Sequence, residues 1–207
     1  WYLVWGRTAF DPDVPDRVWL AEFERRFGKR AGGRVYQALV ESSRIVPFVY
    51  SYHNQGLDHQ HMAPELETGD YPYTYAAAAW KDGKLVPHPP SVKNFLGFGV
   101  LDRTAMADPS SYVEEHLSGR VTGRMTPYGA GQYLAAAADK SERLIREAAG
   151  LDPSSAKEFA CIRMDVEAAA ALGRYYRGRI LSATHLEFYN RTQHRPELTA
   201  AQRLLAE

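Results

Sequence analysis

Phe159, Ile162, Val166, Ala169, Gly173, Tyr176, Ile180 and Ala183 recur at alternating steps of three and four residues. A strand repeats every two residues, so this spacing belongs to a helix that packs along one seam against other helices. The stretch that carries it, "LDPSSAKEFACIRMDVEAAAALGRYYRGRILSATHLEFYNRT", opens on Asp152 as the expected N-cap, with Pro153 next. A helix from there to about residue 190 is about 55 Å long at 1.5 Å per residue. Ala169 and Gly173 sit mid-seam and are small enough for a neighbouring helix to come close. Cys161 lies next to Ile162 and is expected in the core rather than as a nucleophile.

Three other stretches have the same character. In "TPYGAGQYLAAAADKSERLIREAAG" Thr126 is a good N-cap and Pro127 a good first residue. Tyr133, Leu134, Ala137, Ala138, Ser141, Leu144, Ile145 and Ala148 form the inner face of that helix, and Gly150 ends it. "SSYVEEHLSG" predicts a short helix over 110–119 with a serine cap, and "HRPELTAAQRLLAE" a last short one. Near the start, "DPDVPDRVW" begins a helix with Val18, Trp19, Phe23 and Phe27 as its apolar stripe and Gly28 as its stop. A further helix is expected over roughly 33–52, kinked at Pro47, which has no backbone N–H to give. With no βαβ alternation, the expected fold is mainly α: a helical bundle with a long loop-rich insertion and one strand-like N-terminal segment.

Domain organisation follows from the same pattern. Residues 1–10, with the apolar run Trp1–Trp5, read as a strand or linker left from an upstream domain. The chain begins without Met, and we expect that it continues from something before it. Residues 11–207 read as one helical domain, loop-rich at about 53–108 and a bundle at about 110–207. Pro47, Pro64, Pro72, Pro87, Pro89, Pro90 and Pro109 fall in or beside the loop-rich part. Within it, "YAAAAWK" and "SVKNFLGF" are candidate short helices.

Composition narrows the partners. Lys+Arg and Asp+Glu both number 25, a net charge of zero. Nucleic acid and anionic membranes favour basic faces, so neither is an expected partner. One cysteine among 207 residues excludes an intrachain disulfide and leaves the compartment open. No phosphate loop, dinucleotide fingerprint or G-x-S-x-G is present, and no cofactor is expected.

The chemistry-bearing stretch is "SYHNQGLDHQHMAPELETGDYPYTY" at 51–75. His53, His59 and His61 are imidazoles, but neither H-E-x-x-H nor paired C-x-x-C accompanies them, and no metal is expected. Asp58, Glu65, Glu67 and Asp70 are of the type that hydrolyses glycosides in pairs, which requires two carboxyls facing across one bond. A recognition rim is the third reading: His, Asn, acids and tyrosines suit sugar hydroxyls and C–H faces. A solvated polar loop is the fourth.

"WYLVWGRTAFDPDVPDRVWLAEFERRFG" resembles the segment of α-glucuronidase-like glycoside hydrolases in which the last barrel strand passes into a C-terminal helical domain. Gly6-Arg7 followed by Phe10-Asp11-Pro12 carries the likeness. "SSRIVPFVYSYHNQGLDHQHMAPELETGD", "GRMTPYGAGQYLAAAADKSERLI" and "ALGRYYRGRILSATHLEFYNRT" look like later parts of the same region. The resemblance implies an upstream (β/α)₈ barrel that holds the catalytic carboxylates. It also implies a helical domain that packs on the barrel, completes the site and supports dimerisation. No catalytic residue carries over, because the barrel lies outside this chain. The substrate-facing candidates are Arg7, His53, Asn54, His59, His61 and Glu65. Arg7 can fork onto a substrate carboxylate, or pair with Asp11 or Asp13 instead. The carbohydrate would be met through the parent enzyme, and the chain alone is expected to be inactive. The rival expectation is a non-catalytic helical module for oligomerisation or docking.

Overall fold

The computed structural model describes residues 6–9, 11–52, 80–81, 84–85, 96 and 99–206. The fold is mainly helical. In chain order the helices are α1 (Asp16–Phe27), α2 (Lys29–Ser42), α3 (Ile45–Tyr52), α4 (Pro109–Leu117), α5 (Pro127–Ala149), α6 (Ala156–Thr192) and α7 (Arg195–Ala206). Two short strands, β1 (Trp80–Lys81) and β2 (Lys84–Leu85), pair antiparallel. The chain divides into two compact units. One takes Trp1–Ser43 with Ala137–Ala170, the other Arg44–Ala136 with Ala171–Glu207.

In the first unit α1 and α2 turn about Gly28, whose φ of 84° is left-handed and suits glycine. Phe27, Ala31, Val35, Ala38, Leu144, Ile145, Ala148, Phe159 and Val166 form its core. Burying one such large side chain contributes about 1.5–3 kcal/mol. Phe27 meets Phe159 edge-on at 6.5 Å, and Phe23 meets Tyr36 at 5.6 Å. Around the core, Lys140 Nζ donates to buried Glu41 at 2.7 Å, and Arg26 bridges Glu22 and Glu158, each at 2.7 Å.

In the second unit Ile45, Val49, Tyr52, Val113, Leu134, Tyr176, Ile180 and Ala201 are buried. Glycines allow close approach there. A Cβ on Gly178 would lie 2.9 Å from the Leu204 carbonyl oxygen, and one on Gly173 would lie 3.2 Å from Ile45.

Several expectations change. The helix expected over 33–52 is two, α2 and α3, broken at Ser43–Arg44 upstream of Pro47. The proline ring would collide with the carbonyl four residues back, that of Ser43, so the helix ends there and Pro47 falls in the first turn of α3. Asp152 does not cap α6: its φ is 57°, it lies in the turn after α5, and α6 begins at Ala156. Asp108 rather than a serine caps α4, accepting from the Ser111 N–H at 2.9 Å, with Pro109 as first residue. Trp80–Lys81, expected at the end of a helix, is strand. Cys161 is exposed, on the side of α6 away from Phe159 and Val166. Residues 1–5 of the expected strand lie outside the described residues, and 6–8 form a helical turn.

Adjacent glycines on α2 give a sharp test. A Cβ on Gly32 would sit 2.6 Å from the backbone of Phe23 and Glu24, whereas one on Gly33 meets only Leu20 Cδ1 at 3.7 Å. Gly32→Ala is expected to destabilise by about 1–3 kcal/mol. Gly33→Ala should stabilise by about 0.5–1 kcal/mol through helix propensity. Urea unfolding of both variants measures the contrast. Glu22 provides a second test. Hydrogen bonds from Arg25 and Arg26 lower its carboxyl from 4.5 to about 2. Its contribution is therefore present above about pH 4.5 and lost as pH falls toward 2. A carboxyl NMR titration should place the midpoint near 2.

Candidate functional site

Of the sequence-derived site residues, Arg7 is described; His53, Asn54, His59, His61 and Glu65 lie outside the described residues. Arg7 is exposed on the helical turn before α1. Its guanidinium stands 6.0 Å from the Trp19 ring centroid, at the outer limit of a cation–π contact. The backbone folds back here: Asp11 N–H donates to the Arg7 carbonyl at 2.8 Å, and Asp13 N–H to Asp11 Oδ1 at 3.0 Å. Among the described residues, neither Asp11 nor Asp13 forms an ion pair with Arg7. An open groove of about 410 Å³ runs beside it, bounded by Gly6, Asp11, Val14, Pro15 and Val18.

The polar stretch that starts at His53 has a defined base in the second unit. Tyr52, the last residue of α3, is 2% exposed and donates its hydroxyl to the Ala107 carbonyl at 2.8 Å. Burial, with Asp108 nearby, pushes its phenol well above the ordinary value. The Leu101 N–H donates to the Ser51 carbonyl at 2.7 Å. Ser51 and Tyr52, just before residue 53, are thus tied to Leu101 and Ala107.

Sequence reasoning missed a second cluster in the same unit. Tyr112 of α4 packs edge-to-face on Tyr128 of α5 at 5.8 Å and on Phe188 of α6 at 6.2 Å. His116 packs edge-to-face on Phe188 at 5.3 Å, and His185 on Tyr128 at 5.9 Å. Such pairs prefer this geometry because the positive ring edge meets the negative face. His185 Nδ1 donates to Glu197 Oε2 at 2.6 Å, linking α6 to α7. Burial, then Tyr112 and Glu197, raise the Tyr128 phenol. Glu187, 8% exposed, accepts from Ser110 at 3.1 Å and Arg191 at 2.7 Å, which holds α4 on α6. The available signal was the i, i+4 spacing of Tyr112 and His116; the partners come from other helices and have no mark in sequence.

Among the described residues no group of His, Cys, Asp and Glu is arranged to hold a metal ion. Nor is any helix long and apolar enough to cross a membrane.

No family model matches the chain, and no curated protein sequence matches it. Among solved structures it is similar to a GH138 enzyme targeting pectin rhamnogalacturonan II, with a TM-score of 0.71 and 16% identity. The likeness covers 99% of this chain and 28% of that enzyme. The chain thus has the fold of a little over a quarter of a glycoside hydrolase, and at this identity the likeness is one of fold.

Replacing Tyr52 with Phe leaves the Ala107 carbonyl without its buried donor. It should cost about 1–2 kcal/mol and speed amide exchange at Leu101. Denaturant unfolding and hydrogen exchange read the two effects.

Proposed function

We propose that this chain is the C-terminal helical domain of a barrel-type, α-glucuronidase-like glycoside hydrolase. In this reading the helices pack on the catalytic module, and the stretch from His53 supplies part of the rim of its sugar pocket. The carrying observation is the likeness of 99% of the chain to only 28% of a GH138 glycoside hydrolase. A helical portion that large, shared by fold, is what a module accompanying a separate catalytic part looks like. The Gly6-Arg7 and Phe10-Asp11-Pro12 pattern supports the finer family reading.

The roles follow from chemistry. The acid and its partner carboxylate belong to the parent's catalytic module. Arg7 is a cation with a planar fork of donors, suited to a substrate carboxylate. His53, Asn54, His59, His61 and Glu65 offer both donors and acceptors to sugar hydroxyls. The tie at Ser51–Leu101 and Tyr52–Ala107 joins residues on the two sides of that stretch, which supports the reading. Holding a rim is worth rate because positioning lowers the entropic part of the barrier.

The test is made in the intact gene product. Replacing residues 53–99 with a short Gly-Ser linker should lower hydrolysis of an aryl uronide by about 100-fold, with helical circular dichroism retained. Arg7→Ala should raise KM with kcat nearly unchanged. The 207-residue chain alone should turn over no aryl glycoside. Full activity after the replacement, or turnover by the chain alone, would count against the reading.

A further inference from the structure

A second polar concavity lies in the second unit, where α4 turns toward α5. Its volume is about 260 Å³, and Tyr112, His116, Arg120, Thr122, Glu115 and Arg124 line it. Ligand pockets span roughly 300–1,000 Å³, so this one has room for about one sugar ring.

Its floor is built in advance. Glu115 and Arg124 are an ion pair whose side chains are 11% and 16% exposed. Thr122 Oγ1 donates to the other Glu115 oxygen at 2.9 Å, and Arg124 Nη1 donates to the Arg103 carbonyl at 2.9 Å. Below them Met125 N–H donates to the Ala105 carbonyl at 2.8 Å, and Ala107 N–H to the Met125 carbonyl at 2.9 Å. A ligand would therefore meet a surface already ordered, which lowers the cost of binding.

Its upper wall has spare hydrogen-bonding capacity. Among the described residues, the Tyr112 hydroxyl and the His116 ring nitrogens have no hydrogen-bond partner. The Arg120 guanidinium makes one long contact, 3.4 Å to Glu114, and keeps most of its five donors. Edge-to-face packing on Tyr128 and Phe188 holds the Tyr112 ring.

The charges select among ligands. Arg120 and Arg124 are balanced by Glu114 and Glu115. An anion uses donors alone and would face the lining carboxylate of Glu115, with Arg120 already drawn to Glu114 outside the cleft; a ligand rich in hydroxyls uses donors and acceptors together. We propose that this concavity is a binding site for one neutral sugar ring of a glycan. The saccharide class rests on the proposed function above, whereas the preference for a neutral ring rests on the charges of the cleft.

The experiment titrates the 207-residue chain with methyl glycosides of glucose, galactose, mannose and rhamnose, with glucuronate and galacturonate as the charged arm. NMR signals of the His116 and Tyr112 rings are followed. At least one neutral glycoside should shift both rings saturably, and more tightly than either uronate. Arg120→Ala, on an exposed side chain, and Tyr112→Phe, which keeps the ring, should each weaken that affinity about fivefold. No saturable shift with any neutral glycoside, tighter binding of a uronate, or unchanged affinity in both variants would overturn the proposal. The titration uses this chain alone and the linker replacement uses the parent enzyme's turnover, so failure of one is distinguishable from failure of the other.

Discussion

The second unit depends on one stretch of α6 being enclosed on all sides. Ile180, Leu181, Ser182, Ala183 and Thr184 are consecutive and all buried. A helix with one wet face cannot bury five residues in a row, because they go more than once around its axis. Enclosure requires apolar or internally bonded side chains everywhere. The two hydroxyls meet that condition: Ser182 donates to the Ala201 carbonyl at 2.9 Å, and Thr184 to the Ile180 carbonyl at 2.8 Å. Neither is left as an unpaired polar group, which would cost about 1–3 kcal/mol.

Enclosure also requires near neighbours, and small residues admit them. Gly178 brings α6 against the end of α7, Gly173 faces Ile45 of α3, and Gly131 of α5 faces Leu181. With α3 held in this way, Tyr52 at its end reaches Ala107, and the base of the polar stretch closes through Ser51 and Leu101. Buried Glu187 holds α4 on α6, and α4 in turn presents Tyr112 and His116. The packing of one helix thus positions Tyr52 and the Tyr112–His116 pair together.

Much of the helical framework was legible. Thr126 accepts from the Gly129 N–H at 3.1 Å, as expected of the cap before Pro127, and the expected inner face of α5 is the buried one. The seam of α6 is buried or half-buried from Phe159 to Ala183. Two of the misreadings share a cause. Asp152-Pro153 and Ser110 look like helix starts because cap chemistry is short and repeats by chance. Whether a given Asp or Ser caps depends on its backbone angles and on which neighbour has already taken the role, as Asp108 has. The neighbour Ile162 points Cys161 toward the core only by adjacency, and residues adjacent in a helix point about 100° apart.

The candidate sites divide the same way. Arg7 was legible as a fork-shaped cation next to an aromatic and acidic stretch, but its place over Trp19 rather than on Asp11 or Asp13 was not. The ring cluster of Tyr112, His116, Tyr128, His185 and Phe188 draws on three helices, and no spacing within one helix encodes it. The sequence by itself determined that this protein is helical and where its seams lie, because helical period and cap chemistry act between residues a few places apart. Only the tertiary structure decided which helix is enclosed and which polar groups meet, because those outcomes depend on close approach between residues far apart along the chain.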